Sequence, residues 1–476
     1  MLQIAEFKSL INGTGVQLDC CNDRVASESR CLGRFDGTDI SKTYREYRKR
    51  YGDVFSFKLG SQLYIVINGY EKIKEFIVQN GSKLSNRPSN LLLDQMYKHR
   101  GIIASNGKAW KENRHFTTVR LKDFGIGTPR QEQMILSEVS EYLSEIESKK
   151  GKPFDMRDIT SAAICNIISK ICFGHRFKYN DEKSLKLLHY IHDMFVKQNY
   201  TGLLNFFPFF RYLPFDIFET NSVWNAFHKL SRFLKDLIDK RRTTWVPKQP
   251  RDLIDSYLDQ QLKEKSESFS EDQMFQVIFD LYLAGTETTA MTILWTILIF
   301  VHNPKVQTKM RKEVLERIGN DRLPSLKDQH RMPYSQAVIT EVHRYASVIR
   351  GIPRASVSDS YIGGYFIPKE ALIYVNSESI HYDEDYFENP TTFKPERFLN
   401  KDGEFVSNSR EFAFGTGKRA CLGEILAQAE LFLFLTSMLQ KFNFEPEDVN
   451  SLPTMEPVIG ISANPKQFNV RAVQLR

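Results

Sequence analysis

The sequence predicts a mostly α-helical fold with a small β region: an α+β chain forming one large domain around a long central helix. Three observations carry this expectation. Helical apolar spacing recurs in long stretches across the middle of the chain. One of them, over 271–301, is far longer than an ordinary globular helix. Short β-type runs are confined to the region before residue 70 and the region after Arg350.

In chain order, 54–59 and 64–67 read as a strand pair around a Gly60-Ser61 turn. Helical patterns follow over 130–147, 159–172, 184–200 and 223–244, then the long run, then 305–318 and 326–347. Beyond Arg350, 361–366 and 372–375 read as a hairpin. The stretch 387–414, with Pro390, Pro395 and little periodicity, reads as a packed irregular loop. An apolar helical run over 425–442 closes the pattern. Residues 1–38 are polar and weakly periodic and are left unassigned; residues 39–476 form the expected domain.

The 65 basic and 58 acidic side chains are interspersed, and a net charge of +7 on 476 residues does not suit a dedicated nucleic-acid binder. It suits weak attraction to an acidic partner or an anionic membrane surface, or an ordinary solvated surface. The longest apolar run, 290–301, falls short of the ~20 residues that span a bilayer. Glu6 and Lys8 interrupt the only apolar stretch at the N-terminus, so a signal peptide is not expected. Cys20, Cys21 and Cys31 lack a fourth ligand for zinc, and Cys165 and Cys172 lie one heptad apart as core residues.

Cys421 is different. It follows Phe414-Gly415-Thr416-Gly417-Lys418-Arg419-Ala420 and precedes Leu422-Gly423 and the last helical run. Glycines let a loop close tightly and a flat ligand approach the backbone. A helix N-terminus and two neighbouring cations favour thiolate over thiol, the form that ligates metals.

Three further constellations accompany it. Ala284-Gly285-Thr286-Glu287-Thr288-Thr289 places poor helix formers inside the longest helix, where the helix could open to admit ligand or water, or kink against a neighbour. Glu287 beside Thr288 could relay protons. Glu341 and Arg344 share one helix face, and Arg397 in Pro395-Glu396-Arg397-Phe398 offers a second guanidinium. A buried Arg-Glu-Arg cluster would pin the loop before Cys421. Trp110 and Arg114, four apart on a helix, join Arg87, Arg354 and Arg419 as cations suited to holding carboxylates.

Together these residues resemble the cytochrome P-450 family of haem-thiolate enzymes, and in particular its microsomal, drug-metabolising animal branch. The likeness covers about residues 40–476. Phe414, Gly417, Arg419, Cys421 and Gly423 fit the family's F-x-x-G-x-R-x-C-x-G pattern. Residues 284–289 resemble its oxygen-activation segment, Glu341 and Arg344 its E-x-x-R pair, and Trp110 with Arg114 its W-x-x-x-R pair.

The resemblance implies a haem (heme b) whose iron takes Cys421 as axial thiolate, with Phe414 and Gly423 beside the sulfur. It implies Arg87, Trp110, Arg114, Arg354 and Arg419 as propionate contacts. Glu287 and Thr288 become the catalytic acid and alcohol, and Glu341, Arg344 and Arg397 structural residues. It implies monooxygenation of a hydrophobic xenobiotic, fatty acid or steroid by O2, with electrons from NADPH through a flavoprotein reductase docking near Lys418 and Arg419. Phe279, Ala284 and Ile352 stand for substrate-lining stretches over 89–106, 279–284, 349–353 and 458–462.

By the same likeness the location is the cytoplasmic face of the endoplasmic reticulum. The branch's membrane-spanning start and proline-rich hinge have no counterpart in residues 1–38, so peripheral or soluble behaviour is expected. The stretch 203–215 reads either as an interfacial membrane contact or as a loop packed over the substrate channel. Ala413 stands where the branch usually has proline, and Glu370 where it has a hairpin glycine. Two alternatives remain: an isomerase or dehydratase of oxygenated lipids that keeps the fold, disfavoured by the Glu287-Thr288 pair, and a non-catalytic haem-binding or misfolding product.

Overall fold

The computed structural model describes residues 40–475 apart from 60–61, 90, 206–215 and 217. The 1–38 segment, the Gly60-Ser61 turn and most of the 203–215 stretch therefore lie outside the described residues.

The chain begins with α1 (Ile40–Tyr51), β1 (Val54–Leu59), β2 (Gln62–Ile67) and the short α2 (Tyr70–Ile73). Then come α3 (Leu91–Tyr97), α4 (Gly107–Asp123), α5 (Pro129–Glu147), α6 (Arg157–Phe173), α7 (Glu182–Thr201), α8 (Thr220–Thr243) and α9 (Leu253–Lys263). The long helix is α10 (Glu271–His302), followed by α11 (Pro304–Arg317) and α12 (Pro333–Ala346). The remainder is β3 (Ile352–Ala355), β4 (Ser360–Ile362), β5 (Tyr365–Ile367), β6 (Leu372–Val375), α13 (Glu378–His381), α14 (Glu424–Lys441), β7 (Phe442–Pro446), β8 (Pro457–Ile459), β9 (Ala463–Pro465) and β10 (Val470–Gln474). The mostly helical α+β expectation holds.

Helix α10 organises the core. Ser270 caps it by accepting a bond from the Gln273 N–H, and Asn303 with Pro304 ends it. Every residue from Thr289 to Val301 is buried, as expected of a helix apolar on all sides. That composition also makes α10 long and apolar enough to cross a membrane, yet 83% of its most apolar window is buried inside the fold. It is a core helix here.

Two expectations about elements are corrected. The hairpin after Arg350 joins β4 to β5, not 361–366 to 372–375. Gly363 and Gly364, at φ +59° and +85°, supply the two positive-φ positions of a tight hairpin turn. Strand β6 instead lies inside a four-stranded sheet of order β1-β2-β6-β3, parallel to β2 and antiparallel to β3. Its near-continuous apolar run suits a strand covered on both faces. The single helix expected over 326–347 is broken. Pro333 disfavours helical backbone at Met332 (φ −124°, ψ 63°), so a 3-10 turn over Leu326–Arg331 precedes α12.

Candidate active site

The cysteine loop is closed by its own backbone: Gly415 N–H donates to Phe412 O, Ala420 N–H to Gly417 O, and Cys421 N–H to Phe414 O at 2.9 Å. Gly417 is obligatory, since its φ is +73° and a Cβ there would come within 2.7 Å of Ile77 O. At Gly423 a Cβ would meet nothing within 4 Å, which leaves the sulfur's approach open. Cys421 is exposed, whereas Cys165 and Cys172 are buried. Phe414 packs edge-on against His343, with ring centroids 5.1 Å apart.

The charge pattern around the sulfur differs from the expectation. Although the residue presents surface to solvent, the protein packed around its sulfur partly desolvates it and pushes the Cys421 thiol up, and the Glu424 carboxylate adds to this. The N–H groups of Gly423 and Glu424, at the start of α14, and the Arg114 guanidinium pull it down without reversing it. The favouring cation is Arg114, from α4, rather than Lys418 or Arg419. A bound metal ion would supply the missing positive charge.

Arg419 turns away from the sulfur. Its guanidinium donates to Ser85 O, Ile102 O, Ser105 O and Asn106 Oδ1, and lies 3.8 Å from the centre of the Trp110 ring. Arg87 donates to Ile103 O and Pro353 O, and Arg114 to Ala420 O at 2.7 Å. Arg354 is 3% exposed and has one bond, to Pro353 O at 3.3 Å. Burial, then the charges of Arg87, Arg419 and Arg114, depresses its basicity. Burial, then the charges of Arg87 and Arg114, lowers Arg419 to about 8; burial, then Arg114, lowers Arg87 to about 10 against an opposing pull from Asp280.

Among the described residues none of these four has a carboxylate within ion-pair distance. The buried Trp110 Nε1–H likewise has no acceptor. Converging cations and an orphaned donor call for a ligand with anionic oxygens. With an accessible cysteine on the adjoining loop, the residues fit haem, whose two carboxylates and iron satisfy both needs.

The segment 101–106 ties this cluster to α10. Asp280 accepts the N–H groups of Ile102 and Ile103, and Gln273 that of Gly101. Further along α10 the helix does not open. Gly285 is there because a Cβ would meet Ile168 Cδ1 of α6 at 2.6 Å, so it serves close helix packing. Thr288 Oγ–H donates to Ala284 O at 2.8 Å. Ala284, Gly285 and Thr288 are half-buried beside fully buried neighbours, so α10 has a partly open strip there. Glu287 is buried, and its Oε1 accepts bonds from His192 and Asn464.

Glu341 and Arg344 form no surface pair. Arg344 is 2% exposed and binds both Glu341 oxygens, at 2.7 and 2.8 Å, as well as His381 O and Pro390 O. Arg397 Nε donates to Glu341 Oε1 at 3.1 Å and its other nitrogens to Glu388 O, Asn389 O and Thr392 O. The cluster fastens the irregular stretch before the cysteine loop.

Of the substrate-lining candidates, Ala284 and Ile352 are half-buried. Phe279 has no open surface, being fully buried among Tyr97, Phe227 and Phe275. Sequence reading missed His192, Asn464 and Asp280, because partners 95 to 178 residues apart leave no local pattern. It also missed an exposed basic stripe on α4, Lys108, Lys111, His115 and Lys122, although that signal is helical spacing.

The family model described as Cytochrome P450 matches residues 31–472. The chain is 35% identical over 450 residues to Cytochrome P450 2J3 of Rattus norvegicus, a match covering 93% of this chain and 89% of that protein. It is 36% identical over 452 residues to Cytochrome P450 2J2 of Homo sapiens, with the same coverage. To Cytochrome P450 2U1 of Mus musculus it is 36% identical over 429 residues, covering 88% and 80%. An accessible cysteine beside unpaired cations, and a match of this extent, lead to one conclusion: the chain belongs to the cytochrome P450 family of haem-thiolate monooxygenases.

Proposed function

We propose that this chain inserts one atom of O2 into a hydrophobic small molecule of xenobiotic, fatty acid or steroid type, using electrons delivered from NADPH by a flavoprotein reductase. The observation that carries the site assignment is the group of uncompensated cations beside the cysteine loop. Haem, when bound, supplies the redox centre at which dioxygen is reduced and cleaved.

The protein's own residues do the rest. Cys421 anchors the iron. Trp110, Arg114 and Arg354 offer free donors to the carboxylates. Arg87 and Arg419 add charge while most of their donors brace the loops at 85 and 102–106. Thr288 spends its hydroxyl proton on Ala284 O, which leaves its lone pairs to accept from a water on the open side of α10. Glu287, next in the chain, holds the proton that such a water passes on. Glu341, Arg344 and Arg397 keep the cysteine loop in place.

The basic stripe of α4 adjoins the cysteine loop through the Arg114–Ala420 bond. An acidic reductase surface would be steered there. Action at the cytoplasmic face of the endoplasmic reticulum, through peripheral contact, fits such a partner.

Reduction under carbon monoxide tests the reading. The intact chain should give the red-shifted Soret band of thiolate ligation, and Cys421→Ser should not. With reductase and NADPH, Thr288→Ala should divert electrons from product to peroxide. A normal Soret band with no NADPH-driven oxygen consumption for any hydrophobic substrate would favour the haem binder without turnover.

A further inference from the structure

Glu287 has a neighbourhood of its own, built from four elements. His192 of α7 stands 2.7 Å from Glu287 Oε1, and Asn464 of β9 donates to the same oxygen at 3.1 Å. Ser462 Oγ–H binds Asn464 Oδ1, so the amide presents its NH2 to the carboxylate. Arg157 of α6 lies 3.0 Å from His192 Nε2 and donates to Pro465 O at 2.9 Å. A guanidinium can only donate. The same guanidinium nitrogen also lies 3.4 Å from His192 Nδ1, but the 2.7 Å contact with the carboxylate needs the proton on Nδ1, which leaves Nε2 as the acceptor.

The two oxygens of Glu287 are thereby made unequal. Oε1 is held by two donors, whereas Oε2 has no protein donor among the described residues. The clamp also depends on how α7 is seated. Ile461 N–H donates to Phe195 O at 2.8 Å, three residues beyond His192. Gly460 allows this, because a Cβ there would come within 2.0 Å of Phe195 O. Trp295 Nε1–H of α10 binds Ala463 O at 2.8 Å, which fixes the β8–β9 hairpin from the other side.

We propose that His192 is a positioning residue for proton delivery: with Asn464 it clamps Glu287 Oε1, leaves Oε2 free for water beside Thr288, and makes this aim depend on α7 being seated on the β8–β9 hairpin. The inference rests on the reading of Glu287 as the proton-holding acid. Without the clamp the carboxylate keeps one donor and swings, and electrons are lost as peroxide even though haem and substrate are bound.

The test compares His192→Ala and His192→Asn in the haem-loaded full chain, the latter placing an N–H donor near the position of Nδ1. Hydrogen exchange is measured without NADPH over 192–200 and 458–465, and peroxide per NADPH is measured with reductase and a hydrophobic substrate. For His192→Ala, exchange should rise in both segments and the peroxide fraction several-fold, with an unchanged carbon monoxide spectrum and KM. His192→Asn should restore both. Unaltered peroxide yield in His192→Ala, or equal defects in the two variants, would overturn the proposal. If the unmutated chain consumes no oxygen, the functional reading fails instead, and the exchange data still decide whether the clamp exists.

Discussion

Arg419 lies over the indole of Trp110, 3.8 Å from guanidinium carbon to ring centre, and so joins the cysteine loop to α4. Lysine cannot reproduce the fork of carbonyl bonds that holds Arg419 over the ring. Arg419→Lys should cut several-fold the fraction of protein showing a thiolate-type Soret band. Arg354 behaves differently, since its charge is buried beside three others with one backbone bond. Arg354→Met should raise the urea midpoint of the haem-free chain while weakening haem retention. A fall in both quantities would contradict its role as a waiting cation.

Asp280 couples stability to pH. Burial pushes its carboxyl up to about 6, while the Ile103 and Ile102 N–H groups, Gln276 and Arg87 pull it down. A carboxyl raised on folding favours the folded state while protonated. That contribution is complete below the unfolded value of about 4 and is lost as pH rises through about 6. Asp280→Asn keeps the acceptor for Ile102 and Ile103 but does not titrate. Relative to the variant, the unmutated protein should lose up to about 3 kcal/mol between pH 4 and pH 6 and nothing further above it. Urea midpoints across pH 4.5–7.5 check this, and parallel curves would remove Asp280 as the cause.

The Arg344-Glu341-Arg397 cluster should be intolerant of losing its centre. Glu341→Gln leaves a guanidinium 2% exposed without its counter-charge, a loss of about 3–5 kcal/mol. Arg397→Lys keeps a charge at the edge of the cluster and should cost less. Thermal midpoints of the haem-loaded variants should rank unmutated above Arg397→Lys above Glu341→Gln.

Backbone conformation predicts changes of opposite sign at two positions. Gly417→Ala meets a positive φ and the Ile77 carbonyl together, and should destabilise by about 2 kcal/mol with loss of haem. Glu370 is an exposed non-glycine residue at φ +63°, where the sequence had suggested that a glycine was missing. Glu370→Gly should stabilise by about 1 kcal/mol and leave the Soret band unchanged. Chemical denaturation of the pair reads both signs.

Much of the fold was legible in the sequence. Long amphipathic and apolar helices announce themselves by spacing, and β1 and α10 begin where that spacing starts. The errors fell where one residue changes the local rule. Pro333 broke an expected helix, and Gly363-Gly364 moved a hairpin turn. Strand β6 was mispaired because its partner, β2, lies some three hundred residues earlier.

The candidate site divides in the same way. Covalent spacing alone singled out the candidate residues, because a cysteine between glycines and cations, an acid-alcohol pair and an E-x-x-R pair are local patterns. What each of them faces follows from packing between distant segments. Arg114 rather than Arg419 favours the thiolate, Gly285 packs against Ile168 rather than opening the helix, and Glu287 is held by His192 and Asn464. Direction is set by long-range packing and by the need to satisfy buried donors and acceptors, which no local spacing encodes.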